Sequence, residues 1–337
     1  MVAQLVYLKE SIIIFYKKHV DVLLPILKLL FSFFALCMFQ RMFHYNGAIN
    51  KSVIFLGVSA VQAFLPMSFL YYAVSILIMI NLWKVSMDIF LGFIIFFIIC
   101  SLAFIRIDRK HSIIILVTAL LFYLRLEYLL PVLLGMTVGF GAILPAAAGI
   151  ILYFLSVYMA DVSTLITTSS SSSFGMGLQR IVNLMLIDKK LLVFLVTFSV
   201  IIFITTLLCH LFYERAWAFA IFVGNVAMVL ILLFGRLIFE LDYTIWRLFL
   251  EMIMAIGCCY IYRFFRGIGD VSRIEKASFE DDEYFYYVKA VPKIKVTQKD
   301  RNVTNIKSDE NVDDILFDDI TEASDLFDEY KEEAEKK

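Results

Sequence analysis

Long apolar runs separated by short polar links set the pattern of the chain. The runs fall at 22–39, 52–83, 85–105, 112–161, 191–211, 216–239 and 243–264. About 20 apolar residues suffice to cross a bilayer as a helix. The run 112–161 is 50 residues long, so it must cross more than once or fold back. It is interrupted by Arg125, Glu127, Pro131 and Pro145 and thinned by Gly135, Gly139, Gly141 and Gly149. Such breaks are tolerated at membrane depth only where other protein groups satisfy the freed backbone. Packed protein interior is therefore expected there, with crossings near 113–124, 128–144 and 145–159. The run 52–83 carries Pro66 at its middle. Proline breaks the helical ladder, which predicts two short helices meeting near Leu65 and Pro66. In the link 161–190, Leu178, Ile181, Val182 and Met185 recur at helical spacing, which predicts a short surface helix after the run Ser169–Ser173.

This pattern predicts an all-α polytopic membrane protein of about eight transmembrane helices with Pro/Gly-broken segments, followed by an acidic, mostly disordered cytoplasmic C-terminal tail. The expected divisions are an N-terminal interfacial segment (1–21), a first membrane region (22–160), the Ser-rich loop with its amphipathic helix (161–190), a second membrane region (191–265) and the tail (266–337). Composition agrees. Of 337 residues 61% are hydrophobic and 18% charged, against about half and a quarter in soluble domains. The near-neutral net charge conceals a division. From Asp270 onward there are 20 acidic and 11 basic residues, and before it 11 acidic and 19 basic. Arg263, Arg266, Arg273 and Lys276 follow the last apolar run, so the positive-inside rule puts the tail in the cytoplasm. Arg180, Lys189 and Lys190 pull the Ser-rich loop toward the same side, and its side stays open.

Motifs that would carry chemistry are missing from the sequence. His19, His44, His111 and His210 form no ligand pair, and Cys37, Cys100, Cys209, Cys258 and Cys259 lie in apolar runs without CxxC spacing. There is no nucleophile elbow, phosphate-binding glycine loop or HExxH. The expectation is no enzyme activity, no cofactor, no metal and, with an acidic soluble part, no nucleic acid. Charged residues inside apolar runs are the remaining candidates, because they are expensive in hydrocarbon. Arg125 and Glu127 either converge on a polar cavity beside the break at Pro131 or sit in water on a turn at the interface. Asp88 could pair with Lys84. Arg236 with Glu240 and Arg247 with Glu251 are i, i+4 pairs flanking 241–244, and read as surface orientation anchors.

Three blocks carry a resemblance. They are Phe64-Leu65-Pro66 with the apolar helix after it, the Pro/Gly pattern of 129–153, and the acidic-aromatic-basic stretch 279–294 around Tyr284, Phe285, Tyr286, Tyr287 and Pro292. Together they resemble an uncharacterised family of bacterial polytopic membrane proteins, loosely permease-like, with no established activity. The resemblance implies the architecture and a cytoplasmic tail block, and transfers no catalytic residue.

In the tail, Tyr284 to Val288 favour a strand that Pro292 ends, and 298–311 is a polar linker. Beyond it, Ile315, Leu316, Ile320, Ala323, Leu326, Phe327 and Tyr330 fall within an arc of about 140° on a helical wheel. A docking helix for a cytoplasmic protein partner is one reading. A disordered acidic terminus is the other. The functional expectation is a non-enzymatic membrane component, permease-like or scaffold, of a cell-envelope transport or assembly complex, with the tail as docking arm. The alternative is a secondary transporter for a small solute, with Arg125 and Glu127 on its path.

Overall fold

The structure, a computed structural model, describes residues 2–45, 52–105, 110–168, 175–211, 216–241, 244–267, 275–280 and 285–290. Two compact units are separated at Arg273 and Ile274. The first is helical: α1 (Val2–Lys18), α2 (Val20–Met42), α3 (Ser52–Phe64), α4 (Phe69–Trp83), α5 (Met87–Cys100), α6 (Lys110–Tyr123), α7 (Leu130–Thr137), α8 (Ile143–Thr168), α9 (Met176–Ile187), α10 (Lys189–Cys209), α11 (Ala216–Phe239) and α12 (Ile245–Gly267). A π turn, Ser101–Ile105, closes α5, and 3-10 turns, Glu127–Leu129 and Gly139–Ala142, flank α7. In the second unit the described residues form an antiparallel hairpin of β1 (Glu275–Glu280) and β2 (Phe285–Ala290), registered from Glu275 opposite Ala290 to Glu280 opposite Phe285. The expected helix at 315–330 and the Ser169–Ser173 run lie outside the described residues.

Five helical stretches are long and apolar enough to cross a membrane: Val20–Met42, Gly139–Thr164, Lys189–Cys209, Ala216–Phe239 and Ile245–Arg266. The shorter apolar helices include Ser52–Phe64 and Phe69–Trp83, which meet at the expected break. Their exposed surface is rich in large apolar side chains, such as Phe64, Trp246 and Leu237, as expected of helices that face lipid rather than water.

Contacts between helix ends fix the direction of each helix. Asn81, late in α4, donates to Gln40, late in α2, at 2.9 Å. Tyr72 near the start of α4 lies 3.5 Å from Ser101 at the end of α5, so α4 and α5 are antiparallel. On α6 and α8 the contacts advance together, from Ile115 and Thr118 at Gly149 to Phe122 at Tyr153 and Phe154. These two helices are parallel and very close. A Cβ on Gly149 would lie 2.6 Å from both the Ile115 carbonyl and the Thr118 Cβ. Only a residue without a side chain lets the two backbones approach this far, the usual device where no hydrophobic effect drives helices together in lipid.

The broken element α7 is held along α10. The ring of Tyr128 stacks on Phe194 at 6.1 Å, and Thr206 donates to the Gly135 carbonyl at 3.1 Å. Thr205 fills the space beside Gly135, and its methyl lies against Gly224 of α11. The threonines make no demand for water, since Thr205 donates back to the Ile201 carbonyl at 2.7 Å and Thr206 shares its one hydroxyl proton between the Gly135 carbonyl and the Ile202 carbonyl one turn earlier, at 2.7 Å. One end of the unit therefore holds the end of α2, the starts of α5, α10 and α12, and Glu127. The other holds the starts of α6 and α11 and Arg266.

Candidate functional site

At the Glu127 end, α6 stops at Tyr123 and the chain reverses. Arg125 adopts φ 60°, a left-handed conformation that costs a residue with a side chain of order 1–3 kcal/mol. Glu127–Leu129 then winds as a 3-10 turn, and Pro131 enters in the first turn of α7, where its missing N–H costs nothing. The turn is held from across the fold by α12. Arg247, in the first turn of α12, donates from Nη2 to Glu127 Oε2 at 2.9 Å and Oε1 at 3.0 Å, and to the carbonyl of Arg125. Its Nε donates to Glu251 at 2.6 Å, and the Tyr128 N–H reaches Glu251 Oε2 at 3.4 Å.

One guanidinium thus serves two carboxylates and a strained carbonyl. Glu251 is 2% exposed and Glu127 8%, so neither carboxylate is solvated as an interfacial turn would allow. The sequence reading of Arg247 and Glu251 as a surface anchor is corrected here. Their i, i+4 bond exists, but it is the buried half of a three-residue cluster. Arg125 and Glu127 also part company. The Arg125 side chain is exposed, and only its main chain joins the cluster, whereas both Glu127 oxygens are engaged by Arg247. The available signal for the missed pair was Glu251 itself, the single acid of α12.

A second carboxylate holds the surface helix. Asp88, 7% exposed at the start of α5, accepts from the Ser86 hydroxyl and, at 3.1 Å, from the N–H of Leu178. This replaces the expected partner Lys84. Asp88 caps the N-terminus of a helix from which it is 90 residues distant in sequence, and Gly177 lets it approach. At the other end of α9, Asp188 accepts from the Tyr158 hydroxyl and, at 2.7 Å, from the N–H of Lys190. Nearby, Tyr45 is half-buried beside Ser163 and Asp161, and burial pushes its phenol above the ordinary value.

These groups position and lock helices. Among the described residues, no group of three or more His, Cys, Asp or Glu is arranged to hold a metal ion. The proposed partner-docking residues Ile315, Leu316, Ile320, Leu326, Phe327 and Tyr330 lie outside the described residues. No protein-family model matches the chain, and neither a curated protein nor a solved structure shows significant similarity to it.

Proposed function

We propose that the chain is a non-enzymatic, multi-pass component of a cell membrane, permease-like or scaffold, within an envelope transport or assembly complex. Its tail docks a cytoplasmic protein. The observation that carries the reading is that the charged groups of the described bundle are used to lock helix ends together, with both Glu127 oxygens consumed by Arg247. Eight elements traverse from end to end: α2, α5, α6, α7 with its flanking turns, α8, α10, α11 and α12. The shortest is 127–137, which lies along α10 from Phe194 to Thr206, about 18 Å of helix, with Leu130, Pro131, Val132, Leu134, Gly135 and Met136 buried in protein rather than facing lipid.

The helices α3 and α4 form a re-entrant hairpin in this proposal. The pair leaves and returns to the same end of the bundle, since α3 follows the end of α2 and Asn81, late in α4, donates to Gln40, late in α2. The carbonyls of the Leu65-Pro66 turn accept from Lys28 Nζ at 3.3 Å and from Gln62 Nε2 at 3.0 Å. Non-helical backbone within the bilayer needs this kind of satisfaction by protein groups. An even number of traverses puts α1 and the end of α12 on one side. That side carries Lys17, Lys18, Arg263 and Arg266, with Arg106, Arg109, Arg273 and Lys276 adjacent in sequence, against Arg180, Lys189, Lys190 and Arg236 at the other end, and we assign it to the cytoplasm on the cluster beside the last helix. The surface helix α9 then lies on the outer side.

Single cysteines in a cysteine-free chain, probed in intact cells with an impermeant maleimide, test the topology. Gln179→Cys should label, Lys17→Cys and Asn305→Cys should not, and Met67→Cys should stay protected before and after permeabilisation. Labelling of Asn305→Cys without permeabilisation overturns it. Docking is tested on the full chain by affinity capture. Leu326→Asp with Phe327→Asp should release a protein that wild type retains, and an unchanged set of captured proteins rejects the docking arm.

A second reading, a secondary transporter for a small solute, draws on one observation. The broken helix α7 has a charged cluster at its N-terminal turn, as substrate sites built on interrupted helices do. Uptake that depends on Glu127 but survives loss of Arg247 would favour it.

A further inference from the structure

We propose that the groove between α10 and α11 at the Glu127 end binds one anionic phospholipid, its acyl chain in the groove and its phosphate at Lys189. The groove has a volume of about 310 Å³ and walls without a polar surface. Leu192, Val193 and Val196 line it from α10, and Ile231, Phe234 and Ile238 from α11. It exists because Gly235 has no side chain. The two helices touch there so closely that a Cβ on Gly235 would lie 2.9 Å from Val193. Volume and lining fall in the range of small-molecule sites, about 300–1,000 Å³ and mainly apolar.

The occupant follows from what stands at the mouth. Phe239 closes the groove, and Lys189 Nζ lies 5.9 Å from the centre of its ring. There the exposed ammonium sits beside the level where the apolar walls end. The adjacent Asp188 keeps its negative charge, but its oxygens are turned to the Tyr158 hydroxyl and the Lys190 N–H, whereas Lys189 Nζ faces the Phe239 ring. Lys190 and Arg236 add positive charge near the same helix ends, against Asp188, Glu240 and, two residues on in sequence, Asp242. An apolar slot with a lysine at its mouth fits a lipid with a single negative charge better than a zwitterionic one, whose own cation would meet Lys189. Basic residues beside apolar slots between membrane helices recognise anionic lipids in this manner.

The full-length protein, purified in a mild detergent and delipidated, is titrated with phosphatidylglycerol or phosphatidylcholine and read by native mass spectrometry. Wild type should retain one phosphatidylglycerol at concentrations where phosphatidylcholine is lost, a preference of about fivefold for one surface cation. Lys189→Glu should abolish the preference. Val196→Trp, at a lipid-facing position 57% exposed, should fill the slot and lose the bound lipid while leaving the protein monodisperse. Equal retention of the two lipids by wild type overturns the proposal, leaving only non-selective boundary lipid. So does one retained phosphatidylglycerol in both variants.

Discussion

Replacing Arg247 by methionine tests the central cluster most directly. Methionine keeps much of the stem volume and removes the charge. Glu127 and Glu251 then remain 8% and 2% exposed without their cation, and the strained carbonyl of Arg125 loses its donor. Stranding a buried charge costs about 3–5 kcal/mol. Arg247 is itself 35% exposed, so water reaches the site and the cost falls to about 2–3 kcal/mol. For a chain of this size that is a melting temperature about 5 °C lower. The native thiols supply the assay, since Cys100 and Cys259 are buried and react with a fluorogenic maleimide only as the protein unfolds in detergent. Glu127→Gln should cost less, about 1 kcal/mol, because an amide still accepts from Arg247. Combined with Arg247→Met it should recover part of the loss, a coupling of about 1–2 kcal/mol. An Arg247→Met protein that melts with wild type, or strictly additive losses, refutes the shared-cation reasoning. Arg125→Ala, which leaves the main-chain carbonyl in place, should be milder than Arg247→Met, the reverse of what a cavity lined by Arg125 requires.

Three further outcomes are expected. Gly149→Leu should prevent recovery of monodisperse protein, because overpacking against the Ile115 carbonyl and Thr118 exceeds the usual cost of about 1–3 kcal/mol. Gly257→Leu, with nothing within 4 Å of its Cβ, should be harmless, and equal behaviour of the two on size exclusion contradicts the close α6–α8 packing. Asp88→Ala removes the cap of α9 at a cost of about 1–2 kcal/mol. Hydrogen exchange should then quicken about tenfold or more in the first turn of α9 and stay unchanged in α10. Arg125→Gly relieves the left-handed backbone and should raise the melting temperature by about 2 °C, so a lower value shows that the side chain is needed.

Apolar run lengths and prolines were enough to place most helices. The break at Leu65 and Pro66, the short helix near 178–186 and the three helices after Lys189 are local consequences of periodicity and backbone chemistry, and they stand in the structure close to where the pattern puts them. The strand of Tyr284 to Val288 was legible for the same reason and appears as Phe285–Ala290. What periodicity does not carry is which helix lies beside which. Glu127 and Arg247 are separated by 120 residues, and Asp88 and Leu178 by 90. A carboxylate in an apolar run advertises that it needs a partner, because burial without one is too costly. It does not say which cation will arrive. That choice belongs to the packing: the parallel approach of α6 and α8 at Gly149, the parallel bed of α7 on α10, and the return of α12 to the Glu127 end. Arg247 becomes the shared cation because α12 starts where α6 turns, a fact of tertiary geometry.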